Sequence, residues 1–333
     1  KIIFCKIFLM NKSIAIIAGE PNSISSEIIF KFWKYRKKFY HKPIVIIGNA
    51  KLLELQNKKL RYQIPIKKVD LNFKKENLIG NKLPVYDVKF NQNKPFQKIS
   101  NKSNKYIFEC FDTALMLSKK KKILGLINCP ISKEFLFKKK YQGITEYLAK
   151  KSGSKDNEVM LIYNKKLSVS PLTTHIPLSQ VSTKLSKSKI IKKLKTINKF
   201  YKKYFNKNPN IAILGLNPHN FSNKKKSEEN EIILPSIKMA KKKGIKVFGP
   251  ISADTSFMIF KKYKFDVIVG MYHDQVLTPF KALFQYEAIN ITLGLPYIRI
   301  SPDHGVAENI VGKNIANPNS LIYSIKFFNY INK

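Results

Sequence analysis

Residues 266–305 read DVIVGMYHDQVLTPFKALFQYEAINITLGLPYIRISPDHG. The apolar run 267–269 predicts a buried strand, and Tyr272, His273, Asp274 and Gln275 follow its carboxyl end in immediate succession. In α/β sheets, that end of a strand is where sites are built. Lys281, Asn290 and Arg299 come next, then Asp303, His304 and Gly305. Metal-ligating, acid/base and anion-binding side chains are thus concentrated in one window.

Working outward, short apolar runs of strand length recur at 13–18, 43–47, 123–128, 158–163, 167–172 and 211–215. Between them lie segments with helical spacing of apolar residues, at 23–40, 51–60, 104–118, 186–204, 228–243 and 320–330. That alternation predicts an α/β fold with a largely parallel sheet. Gly143 and Ile144 open a further helix, for which Thr145 reads as the cap. Residues 64–99 carry strand-like pieces at 65–69 and 83–88, separated by Asn/Lys-rich stretches. The lysine run 119–122 reads as a solvated helix end. Residues 1–9 precede Met10 and read as a poorly ordered upstream extension, with 10–333 as a single unit.

The formal charge of +41 raises nucleic acid as a partner, but of 62 basic residues only Arg36, Arg61 and Arg299 are arginines. Lysines spread along the whole chain beside abundant Asn and Ile point to a compositional bias of the solvated surface. Guanidinium is the usual reader of bases and phosphates. Cys5, Cys110 and Cys129 have neither metal nor redox spacing, which fits a reducing cytoplasm. No apolar run reaches the length needed to span a bilayer, so no membrane partner is expected.

Of the five histidines, His175, His219 and His273 each stand just past a predicted strand. Loops at one end of a sheet can gather such residues. Three neutral imidazoles with open coordination positions would hold a Zn²⁺-like divalent ion and leave room for substrate oxygens. His41, at a Lys/Tyr-rich helix end, reads as structural. No Gly-x-Gly-x-x-Gly follows a strand, and there is neither a phosphate-binding P-loop nor a nucleophile elbow.

With these pieces assembled, the chain resembles the 4-hydroxythreonine-4-phosphate dehydrogenase family of vitamin B6 biosynthesis. The resemblance rests on Ile131–Ser132–Lys133, Gly143-x-Thr145–Glu146, Thr173 to Leu178, Gly215 to His219, Gly249–Pro250, Ala253–Asp254–Thr255, Tyr272 to Gln275, Asn290 to Pro296, Arg299 and Asp303–His304–Gly305, in order and at family spacing. It implies an isocitrate/isopropylmalate dehydrogenase-like fold, with two interleaved α/β subdomains flanking a central cleft. It also implies a homodimer with its active site at the subunit interface, and NAD or NADP bound without a Rossmann motif. The divalent metal (Zn, Mg or Co) would be held by His175, His219 and His273, with His273 drawn from the neighbouring subunit. The resemblance assigns Thr145, Lys281, Asn290 and Arg299 to the substrate, a small phosphorylated hydroxy-amino acid. Lys281 and Asp254 would be catalytic, and Asp254 with Asn290 would meet the cofactor.

The chain also departs from the family. The glycine-rich turn after the first strand becomes Gly19–Glu20–Pro21–Asn22–Ser23, Ile144 replaces a substrate-contacting histidine, and the glycine-rich loop after His219 is replaced at residues 220–227. The metal site and the anion clamp survive these changes. The Ile144 replacement leaves room for a paralogue acting on another phosphorylated hydroxy acid, such as a four-carbon sugar-acid phosphate.

Overall fold

The computed structural model describes residues 12–38, 42–137, 143–155, 157–221, 226–285, 287–303 and 305–331. The expectations for the upstream extension, His41 and His304 lie outside the described residues. The chain runs through β1 (Ser13–Ile17), α1 (Ser25–Tyr35), β2 (Ile44–Gly48), α2 (Ala50–Lys59), β3 (Ile66–Val69), β4 (Leu83–Asp87), α3 (Asn104–Lys119), β5 (Ile123–Asn128), α4 (Lys133–Phe137) and α5 (Ile144–Lys151). It continues through β6 (Val159–Tyr163), β7 (Ser168–Pro171), α6 (Lys187–Phe205), β8 (Ile211–Leu214), α7 (Leu234–Lys242), β9 (Val247–Ile251), α8 (Ala253–Ile259), β10 (Val267–Gly270), α9 (His273–Phe284) and β11 (Ile289–Leu293). It closes with β12 (Ile298–Pro302) and α10 (Asn319–Tyr330). The α/β class is as expected.

Two compact units divide the chain. Unit 1 comprises residues 1–153 and 295–332, and unit 2 is essentially residues 154–294. In unit 1 the strand order is β3-β4-β2-β1-β5-β12, parallel throughout. Every residue of β1 and β2 is buried, as in a parallel sheet covered on both faces. Ala15, Ile17, Val45, Ile47, Phe111 and Leu126 share one apolar cluster. The Val, Ile, Leu and Phe side chains among them each contribute about 1.5–3 kcal/mol by leaving water. The edge strand β3 keeps Lys67 and Lys68 exposed, a charge that discourages edge-to-edge pairing.

In unit 2 the order is β11-β6-β7-β10-β8-β9. Here the expected parallel pattern has an exception, because β6 runs antiparallel to both β11 and β7. The strands β7, β10 and β8 are parallel neighbours in register, with Val267 level with both Ser168 and Ile211. Their carboxyl ends therefore reach one edge together. The long helix α6 buries Ile190, Ile191, Leu194, Ile197, Phe200 and Tyr201, a helical stripe. Ser186 caps it by accepting from the Lys189 amide, and Asn206 ends it in a left-handed conformation. The helix expected at 228–243 begins instead with a wider turn over Glu229–Ile233, and only Leu234–Lys242 is α-helical.

The turn after β1 shows how lost glycines are replaced. Gly19 keeps a φ of +75°, and a Cβ there would stand 2.4 Å from the Pro130 carbonyl oxygen. Neither Asn22 nor Ser23 needs positive φ. Side chains hold the turn instead. Ser23 Oγ donates to the Glu20 carbonyl at 2.7 Å, the Asn22 amide donates to Glu20 Oε1 at 3.2 Å, and Asn22 and Gln92 exchange amide hydrogen bonds.

Candidate active site

Unit 2 places the three candidate metal ligands at the carboxyl ends of β7, β8 and β10. His175 stands in the turn after β7, His219 in the turn after β8, and His273 opens α9 after β10. The rings of His175 and His273 are neighbours, with centroids 6.1 Å apart. His273 Nδ1 lies 2.7 Å from Asp274 Oδ1, a contact that fixes the ring. His219 keeps other company. Its side chain is 83% exposed and its Nδ1 is 3.9 Å from Asp254 Oδ2. Among the described residues, no group of three His, Cys, Asp or Glu is gathered to hold a metal within this chain.

Backbone strain marks the same edge. His175 and His219 have φ of 52° and 49°, and Asn220 follows at 63°. Left-handed backbone is costly for residues with a Cβ and persists where the surroundings impose it, often at functional sites. On the His175 side the surroundings are visible. The Leu172 and Thr173 amides donate to the Gly270 and Met271 carbonyls, and Thr173 Oγ1 adds a 2.8 Å bond to the latter. Lys193, buried on α6, donates to the Pro171 carbonyl. Burial pulls the Lys193 ammonium down to about 7.

Unit 1 builds a different arrangement around Arg299 on β12. The side chain is buried, at 2% exposure. Its Nε donates to Asn128 Oδ1 at 2.8 Å and its Nη1 to Thr145 Oγ1 at 3.3 Å. Burial lowers its pKa to about 10, against the pull of Tyr297 and Glu146, so it remains cationic at neutral pH. Two expected substrate contacts, Thr145 and Arg299, are therefore joined. Asn128, at the end of β5, is the residue that sequence reading missed. Its amide oxygen holds the guanidinium fork from one side. The sequence signal was available only as a polar residue at a strand end.

Thr145 is not the helix cap. Gly143 occupies that position without a side-chain capping bond, and the Thr145 hydroxyl is turned to Arg299 instead. Ile144, at 6% exposure, packs in the unit 1 apolar cluster with Phe137, Tyr147 and Leu148. The remaining predicted residues are in unit 2. Lys281 is exposed on α9, Asn290 is half-buried on β11 opposite Ile162, and Asp254 is exposed in the first turn of α8. A cavity of about 970 Å³ in unit 1, lined by Asn49, Asp87, Phe90, Tyr106 and Thr113 among others, contains none of these residues. Cys110 and Cys129 are free thiols, and their burial shifts both upward. No helix among the described residues is long and apolar enough to cross a membrane.

Comparison with known proteins identifies the family. The chain is 40% identical over 320 residues to the 4-hydroxythreonine-4-phosphate dehydrogenase of Sulfurihydrogenibium sp., covering 94% of this chain and 96% of the relative. It is 32% identical to the D-threonate 4-phosphate dehydrogenase of Salmonella typhimurium, covering 95% and 97%. The crystal structure of 4-hydroxythreonine-4-phosphate dehydrogenase from Klebsiella pneumoniae superposes with a TM-score of 0.82 at 30% identity, over 96% of this chain and 98% of that one. The family described as pyridoxal phosphate biosynthetic protein PdxA matches residues 40–328. By both measures the chain belongs to the PdxA family and is an oxidoreductase of the dehydrogenase type.

Proposed function

We propose that this protein oxidises 4-phosphohydroxy-L-threonine to 2-amino-3-oxo-4-phosphohydroxybutanoate, which loses CO₂ to give 3-amino-2-oxopropyl phosphate, in pyridoxal phosphate biosynthesis. The observation that carries the reading is the row of histidines at three adjacent, parallel strand ends. Relatives that cover nearly the whole chain bear the name of that activity.

The groups required by the chemistry suit the residues present. The family uses a nicotinamide cofactor. Asp254 and Asn290 offer a carboxylate and an amide for the hydroxyl and carboxamide groups of NAD or NADP. The neighbouring imidazoles of His175 and His273, with His219 at the next strand end, are donors that favour zinc or cobalt over magnesium. A divalent ion held there would supply Lewis acidity toward the substrate's hydroxyl and ketone oxygens, and a bound nicotinamide would supply the hydride acceptor.

The chain's own side chains do the rest. Arg299 holds an anionic group of the substrate by a planar fork, and Asn128 and Thr145 keep that fork from rotating. Lys281 adds a mobile point charge and a proton donor. A homodimer sharing the site would take His273 from the neighbouring subunit. The closeness of His175 and His273 within one chain is the observation that competes with this. Mixing inactive His175→Ala and His273→Ala subunits separates the two arrangements. A shared site regains activity in hybrids, and a site built within one chain does not.

A second reading, oxidation of a four-carbon sugar-acid phosphate such as D-threonate 4-phosphate, rests on Ile144. A buried isoleucine stands where the family has a substrate-contacting histidine, and two relatives that cover nearly the whole chain carry the D-threonate activity in their names. The deciding experiment is a substrate panel with purified protein, NAD or NADP and added Zn²⁺, Co²⁺ or Mg²⁺, followed by absorbance of the reduced cofactor. Turnover of the hydroxythreonine phosphate alone supports the first reading. Preference for the threonate phosphate replaces it with the second.

A further inference from the structure

The His219 turn is held by two side chains that are not candidate ligands. Glu229, at 1% exposure, accepts at Oε1 from the backbone amides of both Leu216 and Asn217, each at 2.8 Å, and at Oε2 from Asn217 Nδ2 at 3.0 Å. Burial alone would push this carboxyl up, yet the hydrogen bonds from Asn217 and Leu216 hold it below the usual value, so it binds as an anion. Gln275, in the first turn of α9, reaches across to the same place. Its Nε2 donates to the Gly215 carbonyl at 2.8 Å while its Oε1 accepts from the Met271 amide at 2.7 Å. Met271 precedes His273, and Gly215 precedes the His219 turn. A Cβ on Gly215 would stand 2.2 Å from Asn220 Oδ1 and 3.2 Å from Glu229 Oε1, so the clasp closes only over a glycine. Asn220 Nδ2 ties the far side of the turn to the Pro250 carbonyl at 3.1 Å.

We propose that Glu229 and Gln275 are positioning residues that fix the turns bearing His219 and His273, whichever subunit's site each histidine serves, and so set the affinity of the site for its ion. The inference rests on the reading of the three histidines as ligands. Four backbone groups at the ends of β8 and β10 are satisfied by these two side chains, and the left-handed backbone at His219 follows directly after the clasped segment. Glu229→Gln leaves an amide nitrogen facing donors. Gln275→Glu sets a carboxylate oxygen against the Gly215 carbonyl while retaining the Met271 bond. Either change loosens the turn without removing a ligand, and losses of such supporting hydrogen bonds typically cost about 10- to 100-fold in metal affinity.

The test is titration of the full chain with Co²⁺, reading the dissociation constant by calorimetry and the ligand field by visible absorption. It compares the parent with His219→Ala, Glu229→Gln and Gln275→Glu. The expected result is a Co²⁺ Kd raised about 10- to 100-fold in both clasp variants, with Tm and substrate KM near the parent's and kcat recovered at saturating Co²⁺. If the parent binds Co²⁺ and His219→Ala weakens it while both clasp variants bind as the parent does, the clasp is overturned and the ligand set stands. If the parent binds no Co²⁺, the ligand set falls and the clasp with it. A clasp variant that loses Tm and substrate binding in step with metal affinity is merely structural, which also overturns the proposal. Should Glu229→Gln fail to fold, Gln275→Glu decides.

Discussion

The arginine pocket of unit 1 and the histidine edge of unit 2 solve opposite problems. Arg299 is buried, with its Nε and Nη1 already directed at Asn128 and Thr145. His175 and His219 are exposed and held in left-handed backbone, and three ligands are not gathered among the described residues of one chain. The guanidinium is oriented in advance, because hydrogen bonds to Asn128 and Thr145 hold it inside the fold. The first region is therefore set by folding, while the second, on the reading proposed above, awaits an ion.

That contrast can be broken experimentally. The largest effect is expected at the histidine edge. Chelation should abolish turnover, a divalent ion should restore it, and His175→Ala, His219→Ala and His273→Ala should each be inactive yet folded, as checked by kinetics alongside circular dichroism. Full activity in any one of them removes that residue from the ligand set. Next comes the pocket. Arg299→Lys keeps the charge and loses the fork, and should lower kcat/KM at least about tenfold whatever the metal concentration. Asn128→Ala should cost about fivefold through the lost Nε bond. Rescue of either by excess metal would erase the distinction between the regions.

A smaller effect concerns the support beneath His175. Because the Lys193 pKa falls to about 7 on folding, the unfolded chain binds more protons than the folded one between about pH 7 and the ordinary lysine range. This group's contribution to stability therefore rises with pH across that window and is lost again as pH falls through 7. Lys193→Met should flatten the rise, measured as Tm against pH. An unchanged slope would show that Lys193 stays charged in the folded protein. Smallest of all, Lys→Gln at 119, 120 or 121 should leave activity and Tm unchanged. Lys122 is different and corrects the reading of that run as wholly solvated. Its Nζ donates to the Leu71 carbonyl at 2.6 Å, so Lys122→Gln should cost about 1 kcal/mol in chemical denaturation.

Much of this was legible in the sequence for physical reasons. Apolar runs such as 13–17 and 267–269 must be buried, and residues at their ends must share an edge once the strands are parallel. The direction of β6 was not legible, because VMLIY buries in either orientation. Nor was Asn128. Its role depends on β5 lying beside β12, and the two partners stand 171 positions apart. Glu229 looked like an acidic residue opening a helix, which is also what it would be if it did nothing else. Thr145 had the identity of a cap but stands inside the helix, past the cap position at Gly143, and its hydroxyl accepts from the Arg299 guanidinium. The replaced glycines after β1 are compensated by hydrogen-bonding side chains, which hold that turn with positive φ only at Gly19.

The division of the chain carries a consequence for how the protein is made. Unit 2 is continuous, whereas unit 1 is interrupted by it and resumes only at residue 295. On the ribosome, the histidine edge is therefore fully synthesised before β12 has emerged. Until then β5 presents an open flank, where Ile298 will later pair with Gly125. Arg299 arrives with that last strand. A nascent or truncated chain ending before residue 298 would hold every candidate metal ligand and no anion pocket, and would expose an unpaired sheet edge to chaperones and to other copies of itself.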